Sequence, residues 1–187
     1  MNVILASQSP RRKELMGLFH IPFTIQVADV DETMNAELSP AQEVCRVSRL
    51  KAEGVRREAD DIVIAADTIV VCQGQILGKP RDEAHAKQML RQLSGKSHQV
   101  MTGLTVLRGD RTICSTQITD VFFRELTQDE IDAYVASGEP MDKAGAYGIQ
   151  GQAGLFVEKI HGDYYNVIGL PVCRLGQILK ELTEETL

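Results

Sequence analysis

A ten-residue apolar run, IVIAADTIVV at residues 62–71, constrains the fold of this chain more than any other feature. Its β-branched residues and the Gln-Gly-Gln turn at residues 73–75 predict a buried strand that pairs with a short strand at residues 76–77. Asp67 lies inside the run, where an unpaired carboxylate is costly. A carboxylate in such a place usually binds a metal, pairs with a cation or acts as a base. The alternative is a strand-end aspartate that accepts backbone hydrogen bonds.

The rest of the chain alternates between strand and helix patterns. Strands are predicted at residues 3–6, 23–27, 98–107 and 111–124, and helices at about residues 10–19, 40–57, 82–93, 127–138 and 171–181. Ser39 with Gln42, and Thr127 with Glu130, form capping boxes that begin two of these helices. Hairpin and crossover connections occur together, so the sequence predicts an α/β fold with a mixed sheet. Residues 140–170 are rich in glycine, which is typical of tight turns or of a loop that fits closely around a ligand.

The composition excludes several classes of protein. With 43% hydrophobic and 25% charged residues, the 187-residue chain has the composition of an ordinary globular protein. No apolar run approaches the roughly 20 residues that span a bilayer, and the first residues lack a signal-peptide pattern, so we expect a cytoplasmic protein without membrane contact. The net charge of −6 opposes stable nucleic-acid binding. Cys45, Cys72, Cys114 and Cys173 show no zinc-site spacing, and each is predicted to be a small buried apolar residue.

Polar and basic residues follow the first predicted strand, where a phosphate could bind. Ser7, Ser9, Arg11 and Arg12 lie at the start of the first predicted helix. A helix N-terminus offers backbone N–H groups and the positive end of the helix dipole. Two arginines in the first turn oppose that dipole, and a bound phosphate would remove the conflict. The alternative is a surface helix with two solvated arginines.

Three further charged residues are candidates for the same site. Glu32, in an acidic loop, could share a magnesium ion with Asp67, because Mg²⁺ binds few protein carboxylates together with phosphate oxygens. Glu32 could equally be a solvated loop acid. Lys51 lies on a predicted helix and Lys79 precedes Pro80, which restricts the local backbone. Either lysine could face a phosphate, and either could be a solvated surface side chain.

Six segments of the chain carry motifs in a fixed order. They are LASQSPRR (5–12), AADT (65–68), LGKPRD (77–82), LSGKSHQVMTG (93–103), DKAGAYGIQG (142–151) and GDYYNVIGLP (162–171). Taken together they resemble the Maf nucleotide pyrophosphatases over nearly the whole chain. The resemblance implies one Maf-like domain over residues 1–187, with an elongated mixed sheet flanked by helices and two lobes around a central cleft. That fold is similar to the fold of inosine triphosphate pyrophosphatase.

The resemblance also implies an activity. The AGAYGIQG segment looks like the branch that hydrolyses dTTP and UTP, or modified pyrimidine nucleotides, to the monophosphate and pyrophosphate by water attack on the α-phosphorus. A divalent metal cation, Mg²⁺ or Mn²⁺, is the implied cofactor, the nucleoside triphosphate is the implied partner, and a homodimer is left open. The alternative is a nucleotide-sensing regulator of cell division or septum formation without significant turnover.

Individual roles are implied by the same resemblance. Asp67 matches the acid that acts as a base or metal ligand, and Glu32 matches a second metal ligand. The groups around the triphosphate match Ser7, Arg11, Arg12, Lys51 and Lys79. Substrate choice is tied to Arg11, Thr68 and Gln150. The Gln150 amide offers an acceptor and a donor that match the N3–H and O4 groups of uracil and thymine.

Overall fold

The computed structural model, which describes residues 1–184, contains the predicted strands and helices in the predicted order, together with elements that were not predicted. The strands are β1 (Val3–Leu5), β2 (Thr24–Ile25), β3 (Ile62–Cys72), β4 (Gln75–Leu77), β5 (Ser97–Arg108), β6 (Arg111–Phe123) and β7 (Val157–His161). The α-helices are α1 (Pro10–Met16), α2 (Pro40–Glu53), α3 (Glu83–Leu93), α4 (Gln128–Ala136), α5 (Tyr164–Ile168) and α6 (Val172–Glu184). None of the helices in this described range is long and apolar enough to cross a membrane.

The sheet is mixed, as predicted. Its strand order is β2-β1-β3-β5-β6-β7, and β4 pairs with β3 off this path. Strand β1 runs parallel to both β2 and β3, whereas β3–β4 and β6–β7 are antiparallel pairs. Strand β3 has neighbours on both sides, and its first five residues are buried. This position explains why the sequence of β3 is a nearly continuous apolar run rather than an alternating one.

The helix starts confirm the capping signals of the sequence. The Ser39 side chain accepts from the Gln42 N–H while the Gln42 side chain accepts from the Ser39 N–H, which completes the capping box at the start of α2. Thr127 and Glu130 make the same reciprocal bonds at the start of α4. Each box satisfies two backbone donors that a helix leaves without an internal partner, so it sets the first residue of its helix.

The described residues form two compact units. Unit 1 comprises residues 1–67 and 102–117 and the chain from Gly169, and unit 2 comprises residues 68–101 and 118–168. The apolar cluster in unit 1 consists of Ile4, Ala6, Ala52, Val55, Val63, Ala65 and Leu107. In unit 2 the core contains a chain of edge-to-face aromatic contacts through His98, Tyr147, Phe123, Phe156 and Tyr134.

Close packing fixes helix α2 within unit 1. A Cβ atom added to Gly103 on β5 would lie 2.2 Å from the Val44 carbonyl oxygen of α2. Only a residue without a side chain allows the two backbones to approach so closely. Helix α2, which carries Lys51, therefore packs directly against the sheet.

Two sequence-based expectations need correction. The glycine-rich stretch at residues 140–170 contains β7 and α5 in addition to its turns, and the sequence pattern predicted neither element. The prediction of four buried apolar cysteines is correct only for Cys72. Cys173 is exposed, and Cys45 and Cys114 form a disulfide across Cα atoms 6.2 Å apart.

Candidate active site

Lys51 and Asp67 form an ion pair in unit 1. Asp67 lies in β3 where the strand changes from buried to half-buried residues, and Lys51 lies in the last turn of α2. The Lys51 Nζ atom is 2.8 Å from Asp67 Oδ1, and each side chain is 17% exposed. The pair compensates the cost of placing a carboxylate within an apolar strand. Of the alternatives open for Asp67, the structure therefore supports pairing with a cation.

Glu32 contacts the same ammonium group. Its Oε2 atom is 2.9 Å from Lys51 Nζ, although its side chain is 56% exposed. The loop that carries Glu32 is tied to α2 by Arg46, which donates to the Thr33 carbonyl at 2.8 Å and to the Glu43 carboxylate at 2.6 Å. Arg46 also holds the pKa of Glu43 below its ordinary value, against the opposing effect of burial. Glu32 is therefore an exposed loop acid that is paired with Lys51.

The donor set around Lys51 is compatible with a divalent cation. Two carboxylates, of Asp67 and Glu32, converge on a single positive charge at 2.8 and 2.9 Å. Within residues 1–184 no group of three or more His, Cys, Asp or Glu side chains could hold a metal. Mg²⁺ commonly binds one or two carboxylates and takes its other ligands from water and substrate phosphates. A metal bound here would therefore depend on the nucleotide, and Lys51 would have to release at least one carboxylate.

Arg12 is fixed by backbone and side-chain acceptors. Its Nε donates to the Gly169 carbonyl at 2.8 Å, and its Nη1 donates to the Ser7 hydroxyl at 3.3 Å. Burial lowers the pKa of the Arg12 guanidinium below its ordinary value, the charge of Asp67 opposes this shift, and the charge of Arg11 adds to it. Arg12 thus lies within electrostatic range of Asp67. The arrangement places two arginines and a serine hydroxyl in the same unit as the carboxylates.

The remaining candidates belong to unit 2. Lys79 and Gln150 are exposed, and Thr68 is half-buried in β3 directly after Asp67. The Gly145 N–H donates to the Gly78 carbonyl at 3.1 Å, so the segment that carries Lys79 lies against the glycine-rich stretch that carries Gln150. A Cβ added to Gly145, whose φ is +72°, would meet Val70 of β3 at 2.9 Å. Gly145 therefore allows the stretch to pack directly against Val70, two residues after Thr68 in β3.

One functional group was not identified from the sequence. The carbonyl oxygen of Gly169 fixes Arg12 from 157 positions away. Only the GDYYNVIGLP motif around Gly169 marked this segment, and a motif gives no information about which backbone oxygen faces a side chain. Backbone acceptors of this kind become visible only when the fold is known.

Sequence comparison gives a consistent family. The model of the family described as Maf-like protein matches residues 2–182. A dTTP/UTP pyrophosphatase of Bacillus cereus (strain AH820) is 53% identical over 96% of this chain and 94% of its own length. A dTTP/UTP pyrophosphatase of Bacillus anthracis (strain CDC 684 / NRRL 3495) is 52% identical over the same shares.

Solved structures confirm the predicted fold. The Ham1 protein of Staphylococcus aureus superimposes with a TM-score of 0.58 and covers 98% of this chain and 100% of its own. A HAM1 protein of Coxiella burnetii gives a TM-score of 0.52 over 97% of this chain and 99% of its own. The sequence identities are only 16% and 13%, so the likeness concerns the fold alone.

Proposed function

This chain belongs to the Maf family, and we propose that it hydrolyses dTTP and UTP to the nucleoside monophosphate and pyrophosphate. The observation that carries the proposal is the convergence of Asp67 and Glu32 on Lys51, beside the Arg12–Ser7 pair. The relatives named dTTP/UTP pyrophosphatase support the choice of substrates.

Asp67 is the general base of the proposed reaction. The oxygen of a water molecule forms a bond to the α-phosphorus, and the bond from that phosphorus to the α,β-bridging oxygen breaks. Pyrophosphate leaves with the electron pair, and Asp67 accepts the proton that the water loses. A positioned base contributes typically about 10²–10⁴-fold to such a step. The Lys51 Nζ atom, 2.8 Å from Asp67 Oδ1, holds the carboxylate in place in the substrate-free protein.

The basic side chains bind the triphosphate and stabilise the charge that moves onto pyrophosphate. Arg11, Arg12, Lys51 and Lys79 serve this role. Ser7 accepts hydrogen bonds from Arg12 and from the Ser9 N–H, so its own hydroxyl proton is directed elsewhere and can donate to a phosphate oxygen. Fixed donors of this kind lower the barrier because they need not reorganise as charge develops.

Asp67 and Glu32 are the residues that would hold a divalent cation, Mg²⁺ or Mn²⁺. When bound, such an ion neutralises phosphate charge and lowers the pKa of coordinated water. With a divalent cation and a triphosphate bound, Lys51 would contact phosphate oxygens instead of the two carboxylates, and the cation would compensate the carboxylates in its place.

Gln150, with Thr68 and Arg11, selects the base. Uracil and thymine present a donor at N3 beside an acceptor at O4, and one orientation of the Gln150 amide matches both. The net charge of −6 opposes the binding of a long polyanion, so we expect no stable nucleic-acid complex. We also expect a cytoplasmic location. The family model includes residues of both units, which supports one functional domain over residues 1–187.

A panel of nucleoside triphosphates assayed with Mg²⁺ for pyrophosphate release tests the proposal. We expect dTTP and UTP to be the best substrates, and activity to disappear when the metal is chelated. Tight binding of UTP without pyrophosphate release would instead favour the nucleotide-sensing alternative.

A further inference from the structure

The turn that carries Gln150 is held from both sides by two residues outside it. The Gly151 N–H donates to the Gly148 carbonyl at 3.1 Å, which closes a turn around Ile149 and Gln150. The Tyr134 hydroxyl accepts from the Gly148 N–H at 3.2 Å. Beyond the turn, the Glu139 carboxylate accepts from the Gln152 N–H at 3.2 Å.

Tyr134 and Glu139 are themselves joined. The Tyr134 hydroxyl donates to Glu139 Oε1 at 3.0 Å, so one hydroxyl connects the Gly148 N–H to the carboxylate. Tyr134 is a fully buried residue of α4, and burial raises the pKa of its phenol above its ordinary value. The phenol therefore remains protonated and can donate to Glu139 while it accepts from Gly148.

The backbone around Glu139 is fixed as well. Lys143 Nζ donates to the Glu139 carbonyl at 2.6 Å and to Asp142 Oδ1 at 2.7 Å. A Cβ on Gly151 would lie 2.0 Å from Glu139 Oε1, and a Cβ on Gly148 would lie 2.6 Å from Lys143 Cε. Both glycines thus allow Glu139 and Lys143 to pack directly against the turn, which explains two of the glycines in this stretch by contact rather than by flexibility.

We propose that Tyr134 and Glu139 are positioning residues that hold the Gln150 turn in one conformation and so set the discrimination between uracil and cytosine. The inference rests on the proposed role of Gln150 in base recognition. The contacts of Tyr134 and Glu139 hold the backbone on both sides of Gln150, so they fix the position from which its amide meets the base. If the turn moved, the amide could adjust to cytosine as well as to uracil. Gln150 itself is exposed, and the turn sets the position of its backbone.

A double-mutant cycle tests the proposal. Tyr134→Phe removes the hydroxyl and both of its hydrogen bonds, and Glu139→Gln replaces one accepting carboxylate oxygen with a donating amide nitrogen. Both substitutions retain the approximate shape of the side chain. We expect each to lower kcat/KM for UTP by about 5- to 50-fold and to reduce the UTP-to-CTP ratio of kcat/KM. In a Gln150→Ala background the same substitutions should have nearly no further effect on the ratio. Glu158→Gln, an exposed position on β7 in the same unit, is the matched control and should leave the ratio unchanged.

Two readouts are independent of turnover. Backbone hydrogen exchange at Gly148 and Gln152 should accelerate at least about 10-fold in Tyr134→Phe and Glu139→Gln, whereas the amides of Ile131 and Val135 in α4 should be unaffected. The dissociation constants of UMP and CMP, which should differ in the wild type, should become similar in the same variants.

Three results would overturn the proposal. The first is an unchanged rate of hydrogen exchange at Gly148 and Gln152 in the variants, and the second is an unchanged preference for UMP over CMP. The third is an effect of the substitutions on the UTP-to-CTP ratio that is as large in the Gln150→Ala background as in the wild type. Absence of pyrophosphate release by the wild type, together with retained preference for UMP, would contradict the hydrolase function and leave the positioning role standing.

Discussion

The Nζ atom of Lys51 lies 2.8 Å from Oδ1 of Asp67. The same nitrogen is 2.9 Å from Glu32, so one ammonium compensates two carboxylates. Substrate phosphates and a divalent cation would compete for both partners of this contact. In the proposed mechanism, this small group of charges combines phosphate binding, metal binding and the general base.

Asp67→Asn should lower the rate by at least about 100-fold, because the amide cannot accept the proton of the attacking water and is a weaker metal ligand. The change preserves the shape of the side chain, so the melting temperature should show that the fold is intact. The rate should be measured with saturating UTP at several Mg²⁺ concentrations. Near-normal turnover would transfer the role of base to another acid, with Glu32 as the first candidate.

Lys79→Ala should reduce kcat/KM for several triphosphates by a similar factor, because a phosphate contact does not depend on the base. Arg11→Ala should weaken turnover too, but with a larger difference between bases, because Arg11 is also tied to substrate choice. Lys96→Ala is the matched control, since this exposed lysine donates to the Gln92 carbonyl in the same unit as Lys79. If Lys79→Ala changed only the ranking of bases, its assignment to the triphosphate would be wrong.

Gln150→Glu should cost about 1–3 kcal/mol in transition-state binding, or roughly 5- to 150-fold in kcat/KM for UTP and dTTP. A carboxylate can still accept from N3–H, but it presents negative charge to the O4 acceptor. Gln128→Glu on α4 adds the same charge in the same unit and serves as the control. Unchanged efficiency in a normally folded variant would remove Gln150 from the base site.

Buried His98 should make stability depend on pH. Burial lowers the pKa of His98 from 6.5 to about 4, and its Nε2 is 2.7 Å from the Tyr147 hydroxyl. Because the unfolded chain binds a proton near pH 6.5 and the folded chain does not, stability falls as the pH decreases from about 6.5 to about 4. The loss is about 1.4 kcal/mol per pH unit and about 3 kcal/mol in total.

The variant His98→Gln isolates this contribution, because glutamine is neutral throughout and can still hydrogen-bond Tyr147. Urea unfolding at several pH values should give a shallower acid-side slope for the variant, by about one proton. Parallel slopes for the two proteins would mean that His98 is protonated in the folded state.

Most of the fold could be predicted because its signals are local. The apolar run of β3 and the capping boxes at Ser39 and Thr127 can each be recognised from residues that are close together in the sequence. Strand β7 escaped prediction because three of its five residues are exposed and it is held by pairing with β6, a contact between segments distant in sequence. Helix α5 has only five residues, too few for a periodic pattern.

The site shows the same division between local and long-range information. Asp67 was identifiable because a carboxylate is unusual in an apolar strand, and Arg12 because it follows a strand. The contact of Lys51 with Asp67, and of Arg12 with Gly169, joins residues that only the fold brings together. The hydrogen bond from the Gly148 N–H to Tyr134 could not be predicted either, because a tyrosine on the apolar face of a helix is usually an ordinary core residue.

The position of bond cleavage tests the central claim most directly. UTP should be hydrolysed with Mg²⁺ in water labelled with a heavy oxygen isotope. The products should then be separated, and the mass of each should be determined by mass spectrometry. Attack on the α-phosphorus predicts UMP and pyrophosphate as the first products, with the heavy oxygen in UMP. Formation of UDP and orthophosphate, or heavy oxygen in pyrophosphate with none in UMP, would contradict the account.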